Sequence, residues 1–140
     1  MTFRPATLDD CALLARLNHE LIRDGGHRNP MTVPQLEQRM RRWISGEDRA
    51  IIYEDGGEIV AYALFREQPE EIYLRQLFVV RYRRSQGIGG WAVDILRSQI
   101  RLKTKRLTVE VLVANTRAVS FLRSVGYADY ALSLEILPDN

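Results

Sequence analysis

The chain has 140 residues, 46% hydrophobic and 27% charged, with twenty Lys and Arg against eighteen Asp and Glu for a formal net charge of +2. That length is one domain, large enough to bury a core without metal or disulfide staples, and the near-neutral balance argues against the dominant basic stripe of a nucleic-acid binder. The apolar runs fall far short of the roughly eighteen residues a membrane span needs.

The opening "MTFRPATLDD" has no apolar signal-peptide core, and the single cysteine, Cys11, sits among apolar residues where it reads as a small core side chain. No intrachain disulfide is available, which points to a reducing compartment, and the expected location is the cytoplasm.

In chain order, "TFRPA" reads as a short strand, and Thr7 caps a helix with Asp9 and Asp10 in its first turn, where the helix dipole favours acids. Leu14, Leu17 and Leu21 give its buried face. "DGGHRNP" breaks it, and a second helix starts after Thr32 with Pro34 in its first turn and Leu36, Met40, Trp43 and Ile44 on one face.

Three strands follow, "RAIIYED", "EIVAYALFRE" and "EIYLRQLFVV", separated by Gly56-Gly57 and Pro69, and they predict an antiparallel meander. Ile88, Ala92, Ile95, Leu96 and Ile100 keep helical spacing, and "RLTVEVLV" alternates as a strand, completing a βαβ-like unit. Ala118, Phe121, Leu122 and Val125 mark a short helix closed by Gly126, and "YALSLEI" is a final strand. The fold class is mixed α/β, in the order β, α, α, β, β, β, α, β, α, β, with no repeat or linker to divide it.

Between strand and helix lies "RYRRSQGIGG". Gly87, Gly89 and Gly90 at a helix start leave backbone amides unshielded at the positive end of the helix dipole, and Arg84 adds a guanidinium three residues upstream. The bland alternative is a tight turn with solvated arginines; the coincidence of strand, arginine, glycines and helix favours an anion cradle. A P-loop sequence is absent. Gly87, Gly89 and Ala92 satisfy a dinucleotide fingerprint with Glu110 about twenty residues on. Against that reading, six residues separate Val80 from Gly87 and fifty remain after Gly90, too loose a turn and too short a chain for the usual parallel sheet.

With Arg84, Gly87 and Gly89 so placed, the chain resembles the GCN5-related N-acetyltransferase (GNAT) superfamily, whose motif is Q/R-x-x-G-x-G/A. "NTRAVSFLRSVGY" resembles a second segment of that family. The resemblance spans essentially the whole chain and implies one acetyltransferase domain over residues 1–140. Its sheet is expected to be mostly antiparallel, twisted and flanked by helices, and its co-substrate is expected to be acetyl-CoA, with no metal.

By the same resemblance, Phe78, Val79 and Val80 match the strand edge that pairs with the pantetheine arm. Arg84, Ser85, Gln86, Gly87, Ile88, Gly89 and Gly90 match the pyrophosphate loop. Asn115 matches a cofactor-contacting asparagine, although a helix N-cap needs the same residue type. The main-chain N–H near Val79 is the expected oxyanion donor.

The implied reaction is direct transfer of acetyl to a primary amine of a small molecule, peptide or protein. A lysine-like amine is protonated at pH 7, and neutralising it costs about 4.6 kcal/mol. Glu110 is the first candidate base, matching a glutamate of the ribosomal-protein N-terminal acetyltransferase branch. The base position of the histone acetyltransferase branch falls on Tyr73, with Glu71 a weak substitute. Leu122 stands where many relatives have a tyrosine acid, which leaves Tyr127, Tyr130 or water to protonate a thiolate able to leave unaided.

His19, Asp24, His27 and Tyr73 are the candidate acceptor contacts, and two histidines eight residues apart make no zinc site. A non-catalytic acyl-CoA-sensing or protein-interaction module is the rival reading. A macromolecular acceptor such as RNA would use a basic face around Arg39, Arg41 and Arg42, but neither nucleic acid nor membrane is the expected partner. The apolar final strand leaves a homodimer open.

Overall fold

The computed structural model describes residues 1–101 and 103–140. A five-stranded sheet takes its strands in chain order: β1 (Thr2–Pro5), β2 (Asp48–Asp55), β3 (Glu58–Glu67), β4 (Glu71–Val79) and β5 (Arg106–Val109). The first four are antiparallel neighbours and β5 runs parallel to β4. Four helices accompany them: α1 (Cys11–Gly25), α2 (Val33–Ser45), α3 (Ile88–Ile95), which runs on into a π-helical turn, and α4 (Thr116–Ser124). The meander and the parallel β4–α3–β5 crossover thus match the sequence expectation.

β2 and β3 are buried on both faces, which is why "AIIY" and "VAYALF" read as continuous apolar runs rather than alternating ones. One face packs Ile51, Tyr53, Ala63 and Phe65 beneath Ile88, Ala92 and Leu96 of the α3 segment. The other packs Ile52, Tyr62 and Leu64 beneath Cys11, Leu14 and Met40 of α1 and α2. Leu14 is fully buried there, so Leu14→Ala is expected to cost about 2–5 kcal/mol.

The helix ends follow local chemistry. Thr32 and Gln35 form a reciprocal capping box at α2, with Thr32 N donating to Gln35 Oε1 at 2.8 Å. α1 stops at Gly26, whose φ of 71° only glycine adopts freely, and His27 N closes the turn on Ile22 O at 3.1 Å. Thr7 caps a single 3₁₀ turn, Leu8–Asp10, that leads into α1, and Asp10 accepts from Thr7 N at 2.7 Å.

Two strand expectations need correction. β5 ends at Val109 and not at Val113: the chain leaves β4 after the Leu74–Val109 pair although β4 continues, and Val111, Leu112 and Val113 are exposed. The segment expected as a final strand, residues 130–136, forms no ladder in the single chain. Tyr130, Leu132, Leu134 and Ile136 are 82–97% exposed. An alternating pattern specifies a strand only where a neighbouring edge accepts it.

Candidate active site

The site begins with a mismatch of strand lengths. The β4–β5 ladder runs from Glu71↔Arg106 to Leu74↔Val109 and stops, while β4 continues to Val79. The main-chain edge from residue 75 to 79 is therefore open on that side, and a cavity of about 710 Å³ lies along it. β4 also carries a bulge: Gln76 pairs with Leu64 and Leu74 with Phe65, leaving Arg75 as the extra residue. A bulge bends its strand and re-aims a side chain, and Arg75 lines the cavity.

At one end of the cavity the glycine loop wraps the start of α3. Gly87 has a φ of 81°, and Ser85, at 64°, is the one non-glycine in the left-handed region among the described residues. Trp91 is the first residue of the turn whose amide finds an acceptor, Gly87 O at 3.0 Å. Among the described residues the amides of 85–90 have none. Gly89 lies close to α4: a Cβ there would meet Phe121 Cζ at 2.9 Å, so the ring would have to give way. Unpaired N–H groups at the positive end of a helix are the kind of donors an anion accepts from.

The arginines of the loop are mostly committed elsewhere. Arg84 donates Nε to Val79 O at 2.9 Å and Nη2 to Asp24 Oδ2 at 2.7 Å, and it stacks on Phe78. Asp24 also accepts from Arg81. Burial would raise the Asp24 carboxyl pKa, yet its bonds to Arg84 and Arg81 bring it below the ordinary range. Arg83 is paired with Asp55 and Glu58 and donates to Gln86 Oε1. Arg84 thus braces β4, the loop and α1 together. Arg117, in the first turn of α4, lines the cavity and was not singled out in the sequence, where it reads as one more exposed helix cation.

The remaining candidates divide. Phe78, Val79, Ser85, Ile88, Gly90, Asn115, Asp24, His27 and Glu110 line the cavity with Gly87 and Gly89; Val80, Gln86, His19 and Tyr73 do not. Val80 N is used by Val60 O at 2.9 Å. Tyr73 stacks near Arg75, and burial first, then Glu110, raises its pKa. Asn115 caps α4, its Oδ1 accepting from Ala118 N at 3.3 Å, and it lines the cavity as well. Glu110 is exposed just past the end of β5.

The two tyrosines sit outside. Among the described residues Tyr127 Oη has no partner, and its burial pushes the pKa up to about 12; Tyr130 is 86% exposed over Arg106. Leu122 lines the cavity in their stead. The proposed basic face of α2 also disperses. Arg39 turns onto Trp43, whereas Arg41, about 200° around the helix, is exposed and pairs with Glu37.

The profile described as the acetyltransferase (GNAT) family matches residues 14–127, which takes in the meander, the glycine loop and α4. The chain belongs to that acetyltransferase family. Comparison with curated proteins finds no match.

Among solved structures, a mutant of the BH1408 protein from Bacillus halodurans aligns at 22% identity with a TM-score of 0.83, covering 99% of each chain. A ribosomal-protein-alanine N-acetyltransferase from Brucella melitensis biovar Abortus 2308 aligns at 16% identity and a TM-score of 0.75, covering 98% of this chain and 99% of its own. An aminoglycoside N-acetyltransferase in complex with CoA aligns at 10% and 0.79, covering 98% and 93%. At these identities the likeness is one of fold. Among the described residues no helix is long and apolar enough to cross a membrane.

Proposed function

We propose that this GNAT protein moves the acetyl group of acetyl-CoA to a primary amine by direct attack within the cavity along β4. The observation that carries the reading is the continuity of the cradle of unpaired amides at 85–90 with the open β4 edge. The amides take the pyrophosphate, with Arg117 as a nearby guanidinium that has no carboxylate partner among the described residues, and the β4 edge takes the pantetheine arm as an added strand would. That a neighbour of the same fold binds CoA supports the assignment.

The thioester supplies the activated acyl group, and this chain orients it and manages protons. Glu110, exposed at the cavity wall, is the base that removes the amine proton. Main-chain N–H groups near Val79 polarise the thioester carbonyl. With Leu122 in the wall and both tyrosines outside it, the thiolate takes its proton from water; a thiol pKa near 8.5 makes that leaving group adequate.

The test is a titration with acetyl-CoA followed by free-thiol release against a panel of amines and peptides. Absence of CoA binding would refute the site, and tight CoA binding with no turnover on any acceptor would favour a sensor module.

We also propose that the exposed C-terminal segment is covered by a second copy of the chain. Tyr130, Leu132, Leu134 and Ile136 stand at alternate positions, as for one face of a strand, and β5 ends the sheet with an unpaired edge. Sedimentation should give a dimer and Leu134→Asp a monomer; a monomeric native chain would sink the proposal.

A further inference from the structure

The acetyl-donor reading leaves one end of the cavity unexplained. Arg75 stands four residues from Val79, about 13 Å along β4, and there the cavity walls are Asn18, Arg39, Trp43, Arg75 and Gln76. The charges at this end do not balance. Arg39 and Arg75 both lie over the Trp43 ring, 4.4 Å and 4.7 Å from its centroid. Arg75 donates Nε to Asp48 Oδ2 at 2.7 Å, a buried carboxylate that also accepts from Arg66 Nε at 3.0 Å. Arg66 pairs with the exposed Glu47 at 3.7 Å as well, so these two carboxylates are taken up by Arg66 and Arg75 and Arg39 is left over.

Arg39 has no carboxylate partner among the described residues; its bond is Nη2 to Asn18 Oδ1, 3.1 Å. Burial above all, with Arg75 and Arg42 nearby, depresses its pKa despite the opposing influence of Tyr62. The cation is therefore held in place against its own electrostatics.

The unsatisfied atoms agree in sign. Among the described residues Asn18 Nδ2 and Arg39 Nε are buried without partners, and both are donors. Asn18 itself is 0% exposed. Gln76 Oε1 is occupied by the Tyr62 hydroxyl at 2.9 Å, so what it offers the cavity is its NH₂. An acceptor amine is itself a donor and, before deprotonation, a cation; nothing at this end suits it. A group of oxygen acceptors with a negative charge suits all of it, and a planar carboxylate matches a guanidinium in two parallel bonds.

We propose that this end is a carboxylate subsite, and that the acceptor is an amino-carboxylate: a small molecule carrying its amine and its carboxylate together. This rests on reading the cavity as an amine acetyltransferase site. Arg39 is the specificity-determining contact, Trp43 and Asn18 hold its guanidinium, and Arg75 adds charge from the bulge. The carboxylate at Arg39 turns the amine toward Glu110 and the β4 edge. A polycationic acceptor is disfavoured by the same two guanidiniums.

The experiment compares α- and ω-amino acids, glutamate, phenylalanine and 4-aminobutyrate among them, with their carboxamides, which keep the amine and lose the charge. Binding is read from Trp43 fluorescence in a Trp91→Phe background, and turnover from thiol release in the native chain. The acids should bind and react about tenfold to a hundredfold better than the carboxamides, the range of a charge-assisted bond. Arg39→Gln should abolish that preference and Arg39→Lys should keep part of it.

The less basic amine of an α-carboxamide biases turnover against the proposal, so a preference for the acid is the harder result to obtain. Equal binding and equal turnover of acids and carboxamides by the native chain would overturn it. So would a preference that survives in folded Arg39→Gln. Saturable binding of acids without acetyl-CoA binding would support the subsite while refuting the acetyltransferase reading.

Discussion

Gly89 and Gly90 are adjacent, both in the first turn of α3, yet the structure assigns them opposite responses to the same added methyl. At Gly89 a Cβ would lie 2.9 Å from Phe121 Cζ and 3.0 Å from Cε1. Carbon pairs rest at about 3.5–4.0 Å, so the overlap is roughly 0.5–1 Å and either the ring or α4 must retreat. Overpacking of this kind costs about 1–3 kcal/mol, from which the helix propensity gained over glycine subtracts up to about 1.

At Gly90 a Cβ meets nothing within 4 Å, and only the propensity gain remains. Gly89→Ala should therefore lower the midpoint of thermal unfolding by up to about 9 °C, and Gly90→Ala should leave it unchanged or raise it by up to about 3 °C, at about 3 °C per kcal/mol for a chain of this size. Calorimetry of both variants beside the native chain is the assay. Because α3 and α4 meet across the cradle, Gly89→Ala should also weaken CoA binding. If Gly89→Ala proves as stable as Gly90→Ala, the close approach of Phe121 to the loop is wrong, and with it the shape argued for the anion site.

Glu110→Gln should reduce turnover at pH 7 by about a hundredfold or more and by progressively less toward pH 10, where the amine deprotonates itself; a pH-independent ratio removes Glu110 as base. Tyr127→Phe deletes a buried hydroxyl that has no partner, so stability should hold or rise and kcat should not change; a large fall in kcat would make it the acid after all. Asp10 is held below the ordinary carboxyl range chiefly by Arg4, and Asp24 by Arg84 and Arg81 against its burial. Their stabilisation is then complete above the unfolded value near 4 and lost as pH falls through the lower folded values. Asp24→Asn should make the acid limb of stability against pH shallower, without changing its neutral plateau slope.

Local chemistry was sufficient for the elements whose causes are local. Thr32 with Pro34 started α2, "DGGHRNP" ended α1, and "RAIIYED" and "EIVAYALFRE" read as neighbouring strands of a meander. The glycine loop was legible for the same reason: unpaired amides are a property of a few consecutive residues. What failed was pairing. "YALSLEI" has the alternation of a strand, but a ladder needs a second edge, and β5 ends too early within its own chain to provide it.

The sequence by itself determined the order of elements from β1 to α4 and the glycine turn that opens α3, because dihedral preference, hydrogen-bond inventory and periodicity act within a few residues. Only the tertiary structure decided who faces the cavity. A one-residue bulge in β4 brings Arg75 to the wall, Arg39 of a different helix lies over the same tryptophan, Asp24 ties up Arg84, and the two tyrosines fall outside. Such contacts depend on residues twenty to sixty positions apart meeting in one packed arrangement, as in the separations of 21 for Arg39–Asn18 and 60 for Arg84–Asp24. No window of sequence carries that information, since the same arginine is solvated surface or buried ligand according to what packs beside it.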